Sequence, residues 1–341
     1  QGETDDYIVD YDTSGQAVNL IYSGSTVGWT PASDMVSALE PVAPNTQKAL
    51  FAYGNTSSSN VSLKNLVNSS GVIAADVTGV GTARTYQAAA SYGVDTAIFA
   101  FGSPGADPYH TNVKNLVNNS GVVAADATGV GTARYFLNGT GYGVGLAIFY
   151  GGRIEGGTQY LSLTNLVNSS GVVSADVSGV GTARVSGAAV RYGSSGQALV
   201  AFGYTGSQIS IKNLINNVGV VGSDITGVGT ARNGLAAASY GSGLAAFAYG
   251  NTGSTVSLKN LVNNVGTVGS DVSGVGTARV HPGGSNYGGD KGVFAYGDSA
   301  ANGSHVSMKN LLGNNGVIAA DVTGVGTPRN APSAAGFSIS A

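Results

Sequence analysis

The 341-residue chain has no cysteine. That excludes a disulfide framework and any thiolate metal site. Charge is scarce as well, at 10% of residues, with 15 basic against 18 acidic side chains. The basic residues form no run, which argues against a nucleic-acid partner. Long apolar stretches are missing too: Gly, Ser and Asn interrupt each one, so no membrane span is expected. The three histidines, His110, His281 and His305, have no second histidine or carboxylate at metal-ligand spacing. They read as exposed loop residues. The acids are too sparse for the paired carboxylates of a glycosidase. No catalytic residue, metal or cofactor is therefore expected.

Glycine is abundant instead, at 55 residues, without a Gly-X-Y period, while 42% of the chain is apolar. This is neither collagen nor a disordered linker. One phrase dominates. "DVTGVGTAR" ends at Arg84, and close variants end at Arg134, Arg184, Arg232, Arg279 and Arg329, at intervals of 50, 50, 48, 47 and 50. The repeat units are 36–84, 85–134, 135–184, 185–232, 233–279 and 280–329.

Each unit breaks at Gly, Asn and Ser into four short runs. In the fifth they are "LAAASYG", "LAAFAYG", "TVSLKNLVN" and "TVGSDVSGV". These are strand lengths, and no run keeps a 3.6-residue period. Four strands in 47–50 residues is the signature of a propeller blade; a parallel β-helix with two coils per repeat is the competing all-β reading. The first run, rich in Ala, Gly and Ser, suits a crowded axis. The second carries the bulk ("ALFAYG", "AIFAFG", "AIFYGG", "ALVAFG", "AAFAYG", "GVFAYG"), which suits the wedge between blades.

With an aromatic and Gly closing the second run and an Arg just before the first, the units resemble the kelch class of propeller repeats over residues 36–341. The kelch Gly pair appears only at Tyr150–Gly152, and the single Trp, Trp29, lies outside the units. The phrases also resemble Gly/Ala-rich repeats of marine bacterial and bacteriophage surface proteins. That resemblance implies an extracellular location and no particular chemistry. The chain begins at Gln1, which fits a processed, secreted product and equally a trimmed chain.

In each phrase an Asp precedes the Arg by eight residues: Asp76, Asp126, Asp176, Asp224, Asp271 and Asp321. The Asp is expected to accept backbone N–H bonds in the Ser/Thr-Gly turn. The Arg fork is expected to reach a carboxylate or carbonyls of the next blade. Six equivalent ligand sites are the functional alternative. "GVGTAR" lacks the third glycine of a phosphate loop, and one Asp per phrase does not make a calcium loop. Lys64, Lys114, Lys212, Lys259 and Lys309 also recur, with Thr164 in their place in the third unit.

The ends are expected to complete a seventh four-stranded blade from residues 7–35 and 330–341, sealing the ring and covering its edges. The same strand exchanged between molecules would give a head-to-tail fibre. Candidate ligand loops carry Asp107, Tyr109, His110, Glu155 and Tyr160, where insertions cluster between the second and third runs. Tyr135, Phe136 and Tyr204 are further aromatics outside the repeat pattern. Sequons occur at Asn55, Asn60, Asn68, Asn118, Asn138, Asn168 and Asn302. The expectation is a non-catalytic extracellular structural or adhesive scaffold, with copies of itself as partners. The alternative is a multivalent lectin for cell-surface glycans.

Overall fold

The computed structural model describes residues 20–22, 29–31, 46–154, 159–299 and 304–340. The chain divides into two compact units, 1–42 and 43–341. In the first, Leu20–Tyr22 pairs antiparallel with Trp29–Pro31. The second is all-β and β-propeller-like, and no helix occurs among its described residues. Every sheet is antiparallel, which removes the parallel β-helix.

Six of the seven three-stranded sheets carry the repeat. Their inner strands are Ala88–Tyr92, Asn138–Tyr142, Ala188–Tyr192, Ala236–Tyr240, Gly283–Tyr287 and Ser333–Phe337. Each pairs with a middle strand of the "ALFAYG" type, which in turn pairs with an outer strand of the "KNLV" type. A seventh, small sheet joins Arg279–Val280, Asp298–Ser299 and Ser304–His305.

The middle strands show no in/out alternation. Lys48–Ala52, Thr96–Ala100 and Leu146–Tyr150 are buried at every position but the first. A strand reads this way when both faces of its sheet are covered. The covering layers are the neighbouring sheets. One core cluster unites Ala88, Ile98 and Phe101 with Phe149 and Val167 of the next sheet. Aromatic pairs sit in the same junctions, including Tyr53–Phe99 at 5.5 Å, Phe101–Phe149 at 5.5 Å and Phe202–Phe247 at 5.4 Å. Their steeply tilted or edge-on packing, at 59–74° between planes, adds to the apolar burial.

The inner strands touch one another in cyclic order, and Ser333–Phe337 contacts both Gly283–Tyr287 and Ala88–Tyr92. The turns after them follow the same cycle through backbone bonds. Gly93 N–H donates to Gly145 O, Gly143 to Gly196, Gly193 to Gly243, Gly241 to Asp290, Gly288 to Gln47 and Ser338 to Asp95, at 2.7–2.9 Å. The donors have φ between 51° and 69°, which explains glycine at five of the six positions.

Two features differ from the sequence expectation. The fourth run of each unit is not a ladder strand. It touches the outer strand only through isolated bridges such as Val67↔Ile73 and Lys64↔Val77. The Asn after the outer strand turns it back early; Asn68 Oδ1 accepts from the Ser70 and Val72 amides. Second, Ser333–Phe337, expected to help build a seventh blade, pairs with Lys48–Ala52. Among the described residues of unit 36–84 there is no other inner strand, and the C-terminal strand fills that place. The other parts of the expected seventh blade within 1–45 lie outside the described residues.

Candidate functional site

Each repeated Arg is fully buried between two sheets. At the Arg134 junction, Nη2 donates to Asn165 Oδ1 at 2.6 Å, Nη1 to Thr132 O at 3.0 Å and Nε to Gly151 O at 2.8 Å. The guanidinium lies 4.3 Å from the centroid of Phe101, over the face of its own unit's aromatic. Asn165 belongs to the next unit, and its Nδ2 donates to Asp176 Oδ1 at 2.8 Å. Asp176 Oδ2 accepts from the Thr132 amide at 2.9 Å and hydroxyl at 2.6 Å. The Arg134–Asp176 ion pair itself is long, at 3.7 Å.

The Arg–Asn bond recurs as Arg84–Asn115, Arg184–Asn213, Arg232–Asn260, Arg279–Asn310 and Arg329–Asn65, at 2.6–2.7 Å. Asp126, Asp224, Asp271, Asp321 and Asp76 take the place of Asp176 at these junctions, 3.7–4.0 Å from the Arg. The Asp therefore bonds the preceding unit's Thr, not its own turn. The tight partner of the Arg is an asparagine that sequence reasoning missed. The signal was present, because Asn follows the Lys/Thr position in all six units ("KNL" or "TNL").

Both glycines of the phrase follow from these contacts. A Cβ on Gly179 would collide with the Ser162 carbonyl, just ahead of the outer strand Thr164–Val167. One on Gly131 would meet Asn165 Nδ2 and Asp176 Oδ1 at 2.5 Å. The lysines add a further link: Lys64 Nζ donates to Gly121 O at 2.9 Å and Lys309 Nζ to Gly71 O at 2.7 Å, each across a junction.

Burial raises the Asp176 pKa, but hydrogen bonds from Thr132 and Asn165, with Arg134 nearby, outweigh it and hold the carboxyl below its ordinary value. Burial also draws Arg134 down to about 10, with Asp176 opposing. The Arg thus remains a cation at neutral pH.

Asymmetry appears at the hub. The residue two after each Arg has positive φ: Tyr86, Phe136, Ser186, Gly234, His281 and Ala331. Backbone bonds run from one to the next, from Ala331 through His281, Gly234, Ser186 and Phe136 to Tyr86. Three of these side chains are large and converge. Tyr86 and Phe136 have centroids 3.8 Å apart, and His281 stands 5.3 Å from Tyr86. The other three are small, and a cavity of about 110 Å³ lies among them. His281 Nε2 and Gln87 Oε1 are buried there with no hydrogen-bond partner among the described residues. Burial lowers the His281 pKa to about 4. Arg153 flanks the cluster, stacking 4.9 Å over Tyr135 and donating to its hydroxyl at 2.7 Å.

The histidines thus differ from exposed loop residues. The left-handed turn directs His281 into the hub. His305 Nδ1 bonds Asp298, whose other oxygen accepts from Asn330 at 2.9 Å. His110 is half-buried, with its Nδ1 occluded. Of the loop candidates, Asp107 and Tyr109 are exposed, Tyr160 packs edge-on against Tyr204 at 6.2 Å, and Glu155 lies outside the described residues.

The class these features define is an all-β, propeller-like repeat protein with buried polar junctions. Compared with known proteins, the chain matches no family model and no curated protein. No helix among the described residues is long and apolar enough to cross a membrane.

Proposed function

We propose that the repeat region is a closed propeller of six kelch-like blades, serving as a non-catalytic extracellular structural or adhesive scaffold. The observation that carries this reading is the junction lattice. The repeated Arg, Asn, Asp and Thr are all engaged in joining one unit to the next, so the recurrent charge acts as a fastening. A rigid frame of this kind leaves its loops and rim free to vary.

The rim supports association with copies of the same chain. Val72, Val122, Val172, Val220 and Val317 recur around it at 54–61% exposure. One such side chain in each of five units offers a second copy a regular set of apolar contacts. Electron microscopy of the purified protein tests the assignment. Filaments or stacks that disperse on substitution V122K/V172K are expected. Discs dispersed at every concentration would remove self-assembly from the proposal.

A glycan-binding role is the second reading, favoured by the Tyr86–Phe136–His281 cluster. Half-buried ring faces beside polar groups can hold sugars by stacking plus hydrogen bonds. A glycan screen with wild type and F136A decides it, because binding that survives F136A unchanged places the sugar elsewhere.

A further inference from the structure

The inner strands surround an axial cavity of about 100 Å³. One position along it breaks the repeat. The residue before the strand-closing aromatic is Ser91, Gly141, Ser239, Asn286 or Gly336 in five sheets and Arg191 in the sixth, and all six line the cavity. Arg191 thus directs a cation into a tube of small residues.

That cation has no protein partner among the described residues. Arg191 takes part in none of the ion pairs found there. Its Nη2 is buried without a hydrogen bond. No Asp or Glu lines the cavity. The nearby hydroxyls are turned to backbone: Ser91 Oγ donates to Gly336 O at 2.8 Å, and Ser239 Oγ to the Arg191 carbonyl at 2.9 Å. A desolvated guanidinium with unused donors is unfavourable unless an anion accompanies it. The six junction arginines show the contrast: Nε of Arg84, Arg184 and Arg279 is also unpaired, but each of the six has an asparagine oxygen, at least one carbonyl and a nearby carboxylate.

We propose that the axial cavity binds one small anion on Arg191: a halide or a compact oxyanion such as phosphate, sulfate or a short carboxylate. The planar fork suits a bidentate oxyanion. The cavity holds one such ion rather than a polyanion, given that a single water occupies about 30 Å³. The reading is independent of the scaffold assignment.

Thermal unfolding of the full chain tests it, at constant ionic strength, with phosphate or chloride replacing a bulky organic anion. The wild type is expected to gain a saturable rise in melting temperature of about 3 °C. R191Q should lose that rise and R153Q should keep it. Isothermal titration of inorganic phosphate should give one site per chain in wild type and none in R191Q. If R191Q does not fold, R191K serves: it keeps the charge, loses the fork and should bind phosphate more weakly. An equal rise in R191Q, or no rise and no heat in wild type, overturns the proposal.

Discussion

Fastening between units rests on a neutral side chain as much as on a charged one. Asn165 holds the buried Arg134 at 2.6 Å, whereas the Asp176 carboxylate lies 3.7 Å away. Asn165→Ala strands both an Arg donor and an Asp acceptor, and is expected to cost about 2–4 kcal/mol in denaturant unfolding. Asp176→Asn keeps an acceptor for Thr132 and should cost less than half as much. The six aspartates also set the acid limit. Asp176 and its equivalents have folded pKa values below the ordinary 3.8. Their contribution is fully present above that value and is lost as pH falls through the lower folded values. His281 acts in a window above this. Its pKa is 6.5 unfolded and about 4 folded, so the unfolded chain takes up the proton first. Stability should decline as pH falls from 6.5 towards 4, and His281→Leu should flatten that slope in equilibrium unfolding followed by fluorescence.

At the level of strands and turns, glycine acts for two separable reasons. Gly179 has ordinary φ, but a Cβ there collides with the Ser162 backbone, while Gly206 has φ +108° and open space. Gly206→Ala should therefore cost about 1–3 kcal/mol of backbone strain alone. Gly179→Ala should cost more, because the backbone leading into an outer strand must move to admit the methyl group. Melting temperatures of the two variants separate steric from conformational causes. The small-residue inner strands and bulky middle strands were legible in the sequence because burial on both faces leaves a compositional mark. The fourth run was not. "VIAADV" has strand composition, but an Asn cap and a cross-unit Asp bond decide its path, and neither leaves a periodic signal. The partner of Ser333–Phe337 was equally hidden, since "APSAAGFSIS" has no register until Lys48–Ala52 is seen to pair with it. The convergence of Tyr86, Phe136 and His281 was beyond reach for a related reason: they come from three different units and meet only through contacts between units.

For the whole molecule, the expectation is one cooperative transition. Linear repeat arrays unfold in parts because each unit leans on neighbours and the terminal units have only one. Here Ser333–Phe337 pairs with Lys48–Ala52, and Arg329 bonds Asn65 at 2.7 Å. Asn65→Ala should therefore destabilise as much as Asn165→Ala, within about 0.5 kcal/mol. A much smaller effect in denaturant unfolding would mean that the first and last units do not hold each other. Truncation after Asn330 removes the inner strand of the first sheet and exposes the edge of Lys48–Ala52. Such a chain is expected to associate through that edge in size-exclusion chromatography, and a peptide of residues 331–341 should reverse the association.

The bond between Arg329 and Asn65 has the same chemistry as the five that join consecutive stretches of chain. The position of the break between first and last residue is therefore arbitrary as far as the wall is concerned. A gene rearranged to open the polypeptide in an exposed loop such as 103–112, with its old ends tethered, should keep all six junctions while starting from a different residue.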